Sequence, residues 1–193
     1  MGRALAKPHL RVVGVDDGPF GRRNRRALVA LVFCSLPGRV DGIALAEVTV
    51  DGRDATERIA AAIRASPQWD GLRAVLLDGA TVAGFNVVDL AALAKTVERP
   101  VVAVTPKAPD FPAIDAALQR YFPRDRARRG KLLRSRPLFP VKLPTGQVLA
   151  AVAGATRAEA AALVRRATVQ GLWPEPLRLA RLVARAAARP PVN

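Results

Sequence analysis

The order of its apolar runs constrains this chain more than any other feature. Three occur in succession, at residues 10–16, 27–36 and 40–50, separated only by tight connections such as Asp16-Asp17-Gly18-Pro19 and Pro37-Gly38. Short, β-branched runs of this kind read as strands. Links this brief make an antiparallel meander the natural pairing, with the third strand bent near Gly42. The period then changes. Residues 54–65 place Ala55, Ile59, Ala62 and Ile63 near one face of a helix. Beyond it the pattern predicts a strand at 72–77, a helix at 87–96, a strand at 100–104 and a helix at 111–121. Alternating strands and helices imply right-handed crossovers between parallel strands. Residues 138–143 and 147–151 form a hairpin around Pro144-Thr145-Gly146. Thr156 caps a helix over 156–168 with Glu159 at the capping-box position, and 175–188 is a last helix. The Arg-rich stretch before the hairpin reads as mobile.

Three strands, then helix, strand, helix, strand, helix, is the order of the α/β ribonuclease H-like fold, a mixed sheet with helices on both faces. With 193 residues, half of them hydrophobic, one domain over 1–193 is expected. Cys34 is the sole cysteine and His9 the sole histidine, which excludes a disulfide framework, a Cys/His zinc site and a Ser-His-Asp triad. Chemistry is left to carboxylates, lysine, arginine and hydroxyls. No run of about 18 uncharged apolar residues exists, so no membrane span is expected. The first ten residues lack a long apolar core, so a cytoplasmic location is expected.

Carboxylates gather at predicted strand ends. Asp16 ends the first strand, with Asp17 on the opposite face because side chains alternate. Asp78 ends the fourth strand, and neighbouring strands can bring Asp16 and Asp78 together. Asp54 and Glu57, three apart at the start of a helix, share a face. Acids crowded at one sheet edge repel unless a cation sits among them, and oxygen-only donors suit Mg²⁺ or Mn²⁺. Two such ions about 3.5–4 Å apart can hydrolyse a phosphodiester without histidine. The same residues have a structural reading. Asp-Gly pairs at 17–18, 51–52 and 78–79 are turn formers, and Asp54 with Glu57 makes a capping box. Asn86 can cap the following helix with Phe85 stapled onto Leu90; alternatively Phe85 can stack on a base.

The net charge of +15 is uneven. Residues 1–115 carry +2, whereas residues 116–193 carry +13, with Asp125, Glu159 and Glu175 their only acids. The densest run includes Arg124, Arg126, Arg128 and Arg129, and a second cluster includes Arg22 and Arg23. Arginine's planar fork suits phosphate, so the partner expected is nucleic acid, bound in a salt-sensitive way.

Four segments carry a family resemblance: Val13-Gly14-Val15-Asp16-Asp17-Gly18-Pro19-Phe20, Val50-Asp51-Gly52-Arg53-Asp54-Ala55-Thr56-Glu57, Leu77-Asp78-Gly79 running on to Gly84-Phe85-Asn86-Val87-Val88-Asp89, and Pro174-Glu175-Pro176-Leu177-Arg178-Leu179-Ala180. Together they resemble the endonuclease dU family, long known as domain of unknown function ninety-nine. That family is similar to endonuclease V, which has a ribonuclease H-like fold and cuts nucleic acid near deaminated bases using Mg²⁺. The resemblance implies that Asp16, Glu57 and Asp78 are catalytic metal ligands, with Asp54 a neighbouring alternative, and that Arg178 contacts phosphate. Three departures stand out. Thr49-Val50-Asp51-Gly52 replaces the Pro-Tyr-Ile-Pro wedge of endonuclease V. Arg181 occupies the place of a usual histidine. Lys107 is displaced from the lysine that follows the fifth strand. Lys107 and Arg181 are counted with the nucleic-acid contacts.

The function expected is therefore a Mg²⁺- or Mn²⁺-dependent endonuclease acting on DNA with deaminated bases, deoxyuridine among them. The rival from another class is a non-catalytic nucleic-acid-binding protein on a nuclease fold, motivated by Arg181 and the missing wedge. A third reading has the basic half docking onto another protein.

Overall fold

The computed structural model describes residues 10–21 and 23–188. Its centre is a seven-stranded mixed sheet. In chain order the strands are β1 (Arg11–Asp17), β2 (Arg26–Ser35), β3 (Arg39–Thr49), β4 (Leu72–Asp78), then β7 (Val101–Thr105), β8 (Phe139–Leu143) and β9 (Gly146–Ala153). A separate two-stranded ribbon pairs β5 (Thr81–Val82) with β6 (Asn86–Val87). The helices are α1 (Ala55–Arg64), α2 (Leu90–Thr96), α3 (Phe111–Tyr121), α4 (Arg126–Leu133), α5 (Arg157–Ala167) and α6 (Glu175–Ala187). The sheet runs β3-β2-β1-β4-β7-β9-β8. The meander β1-β2-β3 is antiparallel, and β1-β4-β7 is parallel. The bend expected near Gly42 is a register shift, because Phe33 pairs with Gly42 and Cys34 with Val40, leaving Asp41 unpaired.

Central strands covered on both faces must be apolar on both faces, which explains the continuous run at β1. Val13, Val15, Leu31, Phe33 and Leu77 face α1 and α2, packing on Ile59, Ile63, Leu90 and Leu93. Val12, Leu76 and Val102 face α5 and α6, packing on Leu163, Val164 and Leu177. Each such side chain, fully buried, contributes roughly 2 kcal/mol from water removed. Helix α6 sits directly on β1. A Cβ on Gly14 would lie 2.2 Å from the carbonyl oxygen of Pro176, so only glycine fits beneath the helix's first turn. On the edge strand β3, Ile43 and Leu45 are half-exposed.

Three local expectations are corrected. The helix expected from residue 87 begins at Leu90, and Asp89 is its N-cap, accepting from the amides of Ala91 and Ala92 at 3.0 Å. Asn86 is fully buried and works elsewhere. Its Oδ1 accepts from the Ala55 amide (3.1 Å), and its Nδ2 donates to the Thr49 carbonyl (2.8 Å) and to Asp54 Oδ1 (2.7 Å). No Asp54–Glu57 capping box forms, since Asp54 instead accepts from the Thr49 amide (3.1 Å) and hydroxyl (2.9 Å). The Arg-rich stretch is ordered as α4, fastened by the Arg129–Asp125 ion pair at 2.8 Å. The Thr156–Glu159 capping box forms as expected. Among the described residues no helix is long and apolar enough to cross a membrane.

Candidate active site

The site follows from register and alternation. Strands β1 and β4 are parallel, with Val15 beside Leu77, so the next residues out, Asp16 and Asp78, end the two strands side by side. Gly14 faces α6, and side chains alternate, so Asp16 faces α6 as well. Leu76 packs in the core beneath α5 and α6 and sets Asp78 on that same face. Helix α6 buries Leu177, and one turn later it presents Arg181 to the two acids.

Arg181 bridges the pair. Its Nε donates to Asp16 Oδ2 at 3.0 Å and its Nη2 donates to Asp78 Oδ2. The guanidinium lies over the Trp173 ring, 4.5 Å from its centroid. Asp16 Oδ1 accepts from the Asp17 amide at 2.9 Å. Asp16 is only 6% exposed. Its loss of water, and next the Asp78 charge, push its pKa up to about 7, against the opposing pull of Arg181 and the Asp17 amide. Burial above all also raises Asp17. Asp16 and the bridging Arg181 open onto a cleft of about 510 Å³, lined also by Asp17, Phe20 and Arg185.

A second opening begins one residue beyond Asp78. A pocket of about 330 Å³ is lined by Gly79, Thr81, Phe85, Leu90, Thr105 and Lys107, among others. Phe85 and Leu90, expected to staple, both line this pocket, and Phe85 packs on Phe122 with centroids 5.5 Å apart. A latch holds its Phe85 wall. Asp51 Oδ1 accepts from the Phe85 amide at 2.8 Å. Gly84, at φ +83°, leaves the Asp51 carboxylate room that a Cβ would fill at 2.4 Å. Arg129 donates to the carbonyls of Phe85 and, at 2.7 Å, Asp51.

The structure unites Asp16 and Asp78 but not the other two expected ligands. Among the described residues no group of three or more His, Cys, Asp or Glu side chains is gathered to hold an ion. Asp54 is occupied in anchoring α1. Although burial opposes ionisation, hydrogen bonds from Asn86 and Thr49 hold its pKa below the usual range. Glu57 is exposed because the buried face of α1 is Ala55, Thr56, Ile59, Ala60 and Ile63. Two carboxylates at a strand edge are still a hard-oxygen donor set of the kind that holds Mg²⁺ together with waters and phosphate oxygens. A stand-in cation, the Arg181 guanidinium, already bridges them. In donor chemistry the residues present therefore fit such an ion.

The expected nucleic-acid contacts divide. Arg23, Lys107, Arg124, Arg126 and Arg128 are exposed, with Arg126 hydrogen-bonded to Gln119. Arg22 lies outside the described residues. Arg129 is 3% exposed and spends its donors on Asp125 and two carbonyls, so it does not face phosphate. Arg178 pairs with Glu175 at 2.6 Å, and Arg181 is committed to the acids. Sequence reasoning missed Arg185 and Phe20 on the cleft and Trp173 beneath Arg181. The spacing of Arg178, Arg181 and Arg185, three then four residues, was the available signal for Arg185.

Comparison with known proteins agrees with this architecture. A UPF0215 protein of Thermococcus gammatolerans is 40% identical over 184 residues, 93% of each chain. A crystal structure of a protein of unknown function from Archaeoglobus fulgidus is 30% identical and superposes with a TM-score of 0.82, covering 92% of this chain and 98% of the other. Endonuclease V of Ciona intestinalis, solved with a 24mer DNA containing an inosine followed by a ribo-adenosine, is 15% identical at a TM-score of 0.65, covering 93% and 86%. The seven-stranded sheet is thus the endonuclease V arrangement, and its ribonuclease H-like assignment holds. The sequence model described as Endonuclease dU matches residues 8–188. With nearly its whole length matched, the chain belongs to the Endonuclease dU family.

Proposed function

We propose that this protein is an endonuclease that hydrolyses phosphodiester bonds in DNA carrying a deaminated base, deoxyuridine the first lesion to test, and so serves DNA repair in the cytoplasm. The observation that carries the reading is the convergence of Asp16 and Asp78 at adjacent strand ends, beside an open cleft. Family membership and the shared fold support it.

Asp16 and Asp78 would hold Mg²⁺ or Mn²⁺. When bound, such an ion supplies Lewis acidity toward a phosphoryl oxygen and lowers the pKa of water. Arg185, on the same cleft, would meet phosphate oxygens there, and the exposed Arg23, Arg124 and Arg128 are further candidates for phosphate contact. The pocket beyond Asp78 offers an apolar, partly enclosed place for a base turned out of the stack, with Phe85 on one wall and Lys107 lining it. Thr81 lines the same pocket and would offer a hydroxyl to a base edge.

A second reading, a non-catalytic nucleic-acid-binding protein, draws on one observation: Arg181 already bridges the acid pair. The test is incubation with Mg²⁺ and a uracil-containing duplex, beside Asp16→Ala. Cleavage by the wild type and its loss in the variant is the expected outcome. Equal cleavage by both rejects the site, and salt-sensitive binding without cleavage under Mg²⁺ or Mn²⁺ favours the second reading.

A further inference from the structure

We propose that Arg181 is a tethered cation that competes with a divalent ion for Asp16 and Asp78, so that the acid pair admits the ion only when the arginine withdraws. The inference rests on the reading of these acids as a cation site, and it adds a gate. Each acid gives its Oδ2 to the same guanidinium, and Asp16's other oxygen is held by the Asp17 amide. An ion approaching the pair from the cleft therefore meets oxygens already engaged in charge-assisted bonds. One guanidinium thus spans two carboxylates, Asp16 and Asp78, at the ends of adjacent strands.

The arm is built to leave. Its side chain is 34% exposed, in contrast to the acids beneath it. The Trp173 face gives the guanidinium a second favourable contact that does not depend on the carboxylates. Arg181 and Arg185 line the same cleft, so a phosphodiester entering there meets both. Contact with phosphate offers Arg181 an anion to replace the acids it gives up.

The test measures metal binding alone, without DNA or turnover. Mn²⁺ is titrated into the full chain at pH 7.5, and the free ion is read by electron paramagnetic resonance. Wild type, Arg181→Gln, Arg181→Lys and the double variant Arg181→Gln with Asp16→Asn are compared, each checked for folding by its thermal transition. Arg181→Gln is expected to bind one Mn²⁺ per chain about ten-fold more tightly than wild type. Arg181→Lys falls between them, because lysine keeps a charge but cannot bridge two carboxylates as a fork. The double variant loses the gain. Equal affinity in wild type and Arg181→Gln overturns the gate, as does a gain that survives Asp16→Asn or the absence of binding in every protein. Because no cleavage is read, a gate that holds in a protein without nuclease activity would sink the proposed function and leave this inference standing.

Discussion

Arg129 and Arg181 come from the same basic half of the chain, and each lies next to an aromatic ring while bridging acceptors, three for Arg129 and two for Arg181, yet they do opposite things. Arg129 is sealed on α4. It ion-pairs with Asp125, donates to two backbone carbonyls and lies 4.3 Å from the Phe122 centroid. Its acceptors are parts of the fold, so it is a rivet holding the pocket wall. Arg181 is a third exposed on α6, and its acceptors are the two acids that the fold places at the site. The difference teaches that positive charge marks a nucleic-acid surface only where its donors are unspent. Counting arginines does not separate a rivet from an arm; asking what each guanidinium already holds does.

The largest expected effect breaks the comparison most directly. Arg129→Ala leaves Asp125 buried with only Arg53, at 3.0 Å, to balance it. A loss of about 3 kcal/mol in unfolding free energy is expected, read from urea unfolding. A loss no larger than that of a surface arginine would erase the distinction. The site itself supplies the next effect. Asp16 has a folded pKa of about 7, raised above its ordinary value of 3.8, so the folded state holds its proton more tightly than the unfolded chain. Stability on its account is full below about pH 4, falls as pH rises toward 7, and is lost beyond it. Asp16→Asn removes that loss. At pH 8 the variant should be more stable than wild type, by an amount of the order of 2 kcal/mol, and the gap should close at pH 4 in thermal melts across pH. A constant gap would mean that the acids are not held apart from water by the fold. The smallest effect on stability belongs to the outer face of α4 and the turn before it. Arg124→Gln with Arg128→Gln changes stability by no more than about 0.5 kcal/mol. Binding to duplex DNA should weaken, with the slope of log affinity against log salt reduced by about 2. An unchanged slope removes these two arginines from the interface.

What could be read in the sequence follows from how far each interaction reaches along the chain. Strands β1, β2 and β4 announce themselves because their burial on both faces is written as short runs dominated by valine, leucine and alanine. The nearness of Asp16 and Asp78 follows from alternation and from parallel pairing, both deducible from element order. Asp54 and Glu57 were not deducible as non-ligands. Asp54 is claimed by Asn86, which is 32 residues away, and Glu57 is turned out by the burial of Ile59 and Ile63. Arg129 looked like one more member of a basic run because its carbonyl partners lie 44 and 78 residues upstream. The displaced start of α2 has the same origin, for Asn86 is a good local cap that tertiary structure recruits for another helix.

The bare backbone at Gly14 has a reach beyond packing. Only a hydrogen separates β1 from the first turn of α6, and that contact acts as a datum from which two lengths are measured, two residues up the strand to Asp16 and one helical turn from Leu177 to Arg181. Any methyl group at this spot would prise the helix outward and withdraw the arm from both acids together. The electrostatics at the tip of the sheet are thus set by a position that carries no charge and touches no acid.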